Sequence, residues 1–151
     1  MADLKVGDPA PPIDATDQDG RKITLEEYRG KRVVLYFYPK DHTPGCTAEA
    51  CDLRDHYSQF IEQNFEVIGV SADSESSHRR FIEKYDLPFR LISDGEKRVL
   101  QDYGAWGEKM LYGKKYTGIL RKTFIIDEQG IIARIIEKVD TREHSRQIFG
   151  D

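Results

Sequence analysis

Cysteine is scarce in this chain: its 151 residues include two, at positions 46 and 51. A framework of several structural disulfides is therefore excluded. A closed zinc site needs about four ligands, and His42, His56, His78 and His144 are too scattered to complete one around the pair. Neither a metal nor a cofactor is expected. Long apolar runs are also missing. None approaches the roughly 18 residues that cross a membrane, and the start Met1-Ala2-Asp3-Leu4-Lys5 lacks the apolar stretch of a signal peptide. The expected setting is cytoplasmic, a reducing compartment in which a dithiol can be recycled. No charge of one sign dominates. The 23 basic and 27 acidic residues are mixed, leave a net charge of -4 and form no basic block, so no nucleic-acid partner is expected. Repeats, linkers and low-complexity tracts are absent. A single globular domain spanning 1–151 is expected, long enough to bury a core.

What is present is concentrated between residues 32 and 64. Arg32 to Tyr38 is a β-branched and aromatic run of strand length, stopped by Pro39. A polar turn, Lys40-Asp41-His42, leads to Thr43-Pro44, which reads as an N-cap followed by proline in the first helical turn. An apolar stripe at Cys46, Ala50, Leu53, Tyr57, Phe60 and Ile61 predicts one amphipathic helix ending near Asn64.

Cys46 then falls in the first turn of that helix. Backbone N–H groups there lack partners, and the helix dipole is positive. Cysteines so placed favour the thiolate, which is the nucleophilic form. Cys51 lies five residues on, which in an α-helix means about 7.5 Å of rise and about 140° of rotation. The Cα atoms are then roughly 8–9 Å apart, beyond the about 7 Å that a disulfide tolerates. The pair therefore cannot be bridged inside an intact helix. Both residues stay thiols, or the first turns unwind as they join. The second course suits a switching redox pair, with Cys51 turned toward the polar side. A thioredoxin-type dithiol has two intervening residues, whereas four stand here.

The rest of the chain alternates between strands and helices. Short strands are predicted at 13–16 and 22–25, a short helix at 25–29, and a buried strand at 65–70. Ser74 caps a helix running to about Tyr85. A short strand follows near Leu91-Ile92, then a helix from Lys97 to Tyr103. Residues 104–117 read as an exposed loop. Strands at 119–126 and 131–137 form a hairpin, and a short last helix begins at Thr141. Strand–helix–strand over 32–70 implies a right-handed parallel crossover. With the closing antiparallel hairpin it predicts an α/β sandwich: a central mixed sheet with helices on both faces. Cys46 then sits at the carboxyl end of a central strand, where open α/β sheets carry their sites.

The segment from Tyr38 through Pro39, Thr43 and Cys46 to Cys51 resembles the active site of the peroxiredoxin Q branch, also called the bacterioferritin comigratory protein family. Pro39, Thr43 and Cys46 match the general peroxiredoxin pattern, and Cys51 matches the resolving cysteine of this branch. Segments 69–71, 103–109 and 118–127 agree as well, with Arg121 at the position of the family's arginine. The resemblance implies a thioredoxin-like fold and a thiol-dependent peroxidase. Hydrogen peroxide and organic hydroperoxides would be its substrates. In that chemistry Cys46 becomes a sulfenic acid, Thr43, nearby backbone amides and Arg121 stabilise the developing charge, and Pro39 shields the sulfur. Cys51 then forms a disulfide with Cys46, and thioredoxin or glutaredoxin resets it. A monomer is expected. The alternative is a non-enzymatic dithiol sensor or binding module, which would not need Pro39, Thr43 and Arg121. The C-terminal helix is shorter and less apolar than such relatives carry.

Overall fold

Strand β3 (Arg32–Phe37) runs through the middle of the sheet, and its alternation explains both cores of the molecule. Val33, Leu35 and Phe37 point to one face, Val34 and Tyr36 to the other, and all five are buried. A computed structural model describes residues 3–150. In it β3 pairs in parallel with β4 (Phe65–Ser71), which pairs in parallel with β5 (Arg90–Ser93). On its other side β3 meets β8 (Lys122–Ile126) antiparallel, and β9 (Ile132–Ile136) closes that edge. Strands β1 (Asp14–Asp17) and β2 (Lys22–Thr24) extend the far edge, giving the seven-stranded order β2-β1-β5-β4-β3-β8-β9. The expected mixed α/β sandwich is thus present.

Helices α1 (Pro44–Asp55), α2 (Tyr57–Glu62), α3 (Glu75–Tyr85) and α5 (His144–Phe149) supply Ala50, Leu53, Phe60, Phe81 and Ile148 to the Tyr36 face. Helix α4 (Arg98–Asp102) supplies Val99 and Leu100 to the other, where Ile13, Ile23 and Leu25 also pack. Gly69 is needed at the centre of β4. It pairs with Tyr36 in register, and a Cβ there would stand 2.7 Å from Leu91 Cδ2 and 2.9 Å from Tyr36 Cζ.

Several boundaries differ from the sequence expectation. The helix over 43–64 is two helices, broken at His56. The ring Nδ1 of His56 bonds the Asp52 carbonyl at 2.9 Å, the oxygen its own backbone N–H would take in a continuing helix. Residues 104–117 are not a loop. From Trp106 on they belong to a hairpin of β6 (Trp106–Leu111) and β7 (Lys114–Ile119), closed by Tyr112 and Gly113, both at positive φ. Two such residues make the tight turn that matches strand twist. The many lysines and glycines hid this, because most of β7 is exposed and shows no buried alternation. The strand at 119–126 is interrupted at Leu120-Arg121, and the last helix starts at His144 instead of Thr141. Though short, α5 covers its face: Ile148 is buried, and the Phe149 ring stacks on Phe60 at 4.5 Å.

Candidate active site

The Cys46 sulfur is buried at the start of α1, at the carboxyl end of β3. Pro44, Gly45 and Cys46 occupy the first three helical positions, and the first ladder bond is Thr47 N–H to the Thr43 carbonyl. The Gly45 and Cys46 amides therefore precede the ladder, where helices leave donors for an incoming oxygen. Thr43 holds the N-cap position, but its side chain does not cap. Its hydroxyl donates to the Lys40 carbonyl at 2.7 Å. With the proton used there, the oxygen keeps lone pairs with which to accept.

Arg121 comes from the break between β7 and β8 and reaches across 75 positions of sequence. Its Nη2 donates to Cys46 Sγ at 3.2 Å, and its Nη1 donates to Glu49 Oε1 at 2.6 Å. Burial pulls against its charge, but Glu49 and Cys46 outweigh it and raise the Arg121 pKa above its ordinary value. Pro39, Lys109, Leu120, Arg121, Lys122 and Glu137 line an open cleft of about 420 Å³. Cys51 is half-buried on the same helix, and neither cysteine is bridged. Trp106 packs on the opposite face of the sheet from Cys46. His42 turns its ring onto Phe81 at 5.1 Å, as a loop residue would.

Three residues of this neighbourhood escaped the sequence reading. Glu49 is fully buried, and burial, opposed by Arg121, pushes its carboxyl up to about 7. Its second oxygen has no hydrogen-bond partner and faces His144 Nε2 at 3.6 Å. His144 is held by Thr123 Oγ1 and Gln147 Oε1, each at 2.7 Å. Glu49 had a readable signal, since it lies one turn beyond Cys46 and so shares its helix face. Thr123 and His144 had none, because only packing brings β8 and α5 to α1.

The turn ahead of Cys46 is pinned by Asp41. Its carboxylate accepts from Tyr38 Oη at 2.6 Å and Ser77 Oγ at 2.8 Å and meets His78 Nδ1 at 2.7 Å, while its backbone N–H donates to Asp73. Burial opposes the charge, yet these hydrogen bonds and His78 hold the Asp41 carboxyl below its usual range. Asp41, Asp73 and His78 stand close enough to hold an ion, but their donor atoms are engaged in this network.

Comparison with known proteins bears on this geometry. The AhpC/TSA family model matches residues 6–135. The chain is 43% identical to peroxiredoxin Bcp of Bacillus subtilis over 141 residues, 93% of this chain and 90% of that one. It is equally identical to peroxiredoxin Bcp of Escherichia coli K12 over 144 residues, 95% and 92% of the two chains. The chain belongs to the AhpC/TSA family, among its Bcp-type peroxiredoxins. Among solved structures, the bacterioferritin comigratory protein of Xanthomonas campestris superposes on this peroxiredoxin with a TM-score of 0.85. It is 33% identical over 98% of this chain and 94% of its own, and that structure addresses alkyl peroxide reduction activity. The thioredoxin-like sandwich of this peroxiredoxin is the fold of such neighbours.

Proposed function

We propose that this thiol-dependent peroxidase works through Cys46 as the sulfur that attacks peroxide. The observation that carries the reading is the 3.2 Å hydrogen bond from Arg121 Nη2 to Cys46 Sγ at the start of a helix. A fixed cation and unpaired backbone amides there meet both the anionic sulfur and the oxygens that gain charge during attack. The thiolate takes the nearer peroxide oxygen, the O–O bond breaks, and the leaving oxygen departs as hydroxide or alkoxide and picks up a proton. Cys46 is left as a sulfenic acid. Thr43 and the Gly45 and Cys46 amides bind the peroxide oxygens, and Pro39 walls the cleft and limits water. Hydrogen peroxide and organic hydroperoxides are the substrates of this reading, and the open cleft beside Pro39 and Arg121 gives room for the organic group of the latter.

Cys51 resolves the sulfenic acid to a Cys46–Cys51 disulfide with loss of water. A dithiol protein such as thioredoxin or glutaredoxin then exchanges with the half-buried Cys51. The chain acts as a monomer in the cytoplasm; among the described residues no helix is long and apolar enough to cross a membrane. A coupled assay of peroxide loss with thioredoxin, its reductase and NADPH tests the assignment. Cys46→Ser abolishes turnover, whereas Cys51→Ser still consumes one equivalent of peroxide. Full steady-state activity in Cys46→Ser would refute it.

A further inference from the structure

Helix α5 is moored to α1 by residues within and directly beside the cysteine pair. Asp52 follows Cys51, and its Oδ2 accepts from the backbone N–H of Ser145 at 2.7 Å and from the Ser145 hydroxyl at 2.6 Å. His56 Nδ1 bonds the Asp52 carbonyl, so it carries the ring proton, and it also lies 3.0 Å from Ser145 Oγ. Ser145 thus donates to Asp52 and accepts from His56, and only 2% of it is exposed. Glu49, between the two cysteines, faces His144 of the same helix. The far end of α5 is tied elsewhere, by Arg134 to the Ile148 and Gln147 carbonyls and by Phe149 to Phe60.

From this geometry we infer that Asp52 and Ser145 form a latch that sets the rate at which Cys51 resolves Cys46. The inference rests on the resolving role proposed above for Cys51. In an intact α1 the two Cα atoms stand roughly 8–9 Å apart, and a disulfide needs less than about 7 Å. Ladder bonds across residues 46–51 must open before the sulfurs meet. Asp52 is the first residue past that segment, and its own N–H reaches back into it. Its carboxylate, however, is fixed to a buried serine on another element. Opening α1 therefore strains or breaks the Asp52–Ser145 contacts, and their strength resists opening. The chemical step balances: the Cys46 S–O bond breaks, the S–S bond forms, and the Cys51 thiol proton leaves with the hydroxyl as water. While the latch holds, a second peroxide can take the waiting sulfenic acid to sulfinic acid. Linkage works both ways, so the disulfide loosens the N-terminal end of α5 by as much as α5 resists the disulfide.

Rapid-quench alkylation with mass spectrometry, after hydrogen peroxide is added to the reduced full chain, measures each species at Cys46. Ser145→Ala leaves the initial oxidation of Cys46 unchanged and speeds disulfide formation about tenfold, the weight of one hydrogen bond to a charged group. It also lowers the sulfinic fraction. Ser145→Thr, which keeps the hydroxyl, restores the wild-type rate. In the wild type, amide hydrogen exchange over 144–149 rises when the pair is oxidised. Disulfide formation in Ser145→Ala at the wild-type rate, or equal protection of α5 in both redox states, would overturn the latch and leave the resolving role standing. A wild-type chain that consumes peroxide but forms no Cys46–Cys51 bond would overturn the resolving role, and the latch with it.

Discussion

Replacing Glu49 by glutamine should remove a pH-dependent loss of stability that the wild-type chain carries. The carboxyl is fully buried, and its pKa rises from 4.5 to about 7 on folding. Burial drives that rise, and the Arg121 guanidinium offsets only part of it. A group that holds its proton more tightly when folded makes the folded state bind more protons, so stability falls as pH rises between the two values. Each tenfold change in acidity is worth about 1.4 kcal/mol, so the full loss is on the order of 3 kcal/mol. It is absent below about pH 4.5 and complete above about pH 7. Glutamine keeps an oxygen to accept from Arg121 and sets a neutral amide where the unpartnered oxygen faced His144. Urea unfolding of the reduced protein, wild type against Glu49→Gln at half-unit steps from pH 5 to 8.5, reads the difference directly. The variant should gain on the wild type as pH rises and level off above about pH 7. Carboxylates whose folded pKa is lowered, Asp17, Glu27 and Asp41, lose their contribution only below about 3.8 for the aspartates and about 4.5 for Glu27, outside this window. Parallel curves across the window would show that Glu49 ionises normally, and the account of a strained buried carboxylate would fail.

Further outcomes follow from named contacts. Arg121→Lys keeps a charge but loses the planar fork that spans Cys46 and Glu49. The second-order rate with hydrogen peroxide, followed by stopped flow, should fall by about 100-fold or more. Gly69→Ala drives a methyl into Leu91 and Tyr36 and should cost about 1–3 kcal/mol, read as a lower urea midpoint with an unchanged slope. His78→Ala removes one of the three side-chain partners of the buried Asp41 carboxylate, leaving Tyr38 and Ser77, and should cost about 1.5–3 kcal/mol by thermal melting. An unchanged melting temperature would show that this network does not hold the turn ahead of Cys46.

Much of the architecture was legible because it rests on short-range rules. The unbroken β-branched and aromatic run over 32–38 marked a core strand, and Ser74, whose hydroxyl accepts from Ser77 N–H, opened α3 as a cap should. The misreadings arose where the apolar period was overridden by a side chain or was missing. His56 broke an amphipathic helix by bonding the Asp52 carbonyl, and the β6–β7 hairpin carries no buried face to give it a period.

The residues alone placed Cys46 in the first turn of a helix behind a central strand, and set Cys51 too far along that helix to be bridged without unwinding. Capping, periodicity and helical rise all act over a few residues, so a linear text can carry them. Only the packed molecule decided that Arg121 closes on the sulfur, that Glu49 sits desolvated behind it, and that Ser145 of the last helix grips Asp52. Those partners come from elements far apart in sequence. Their meeting depends on how β8, α1 and α5 stack, which no local pattern encodes.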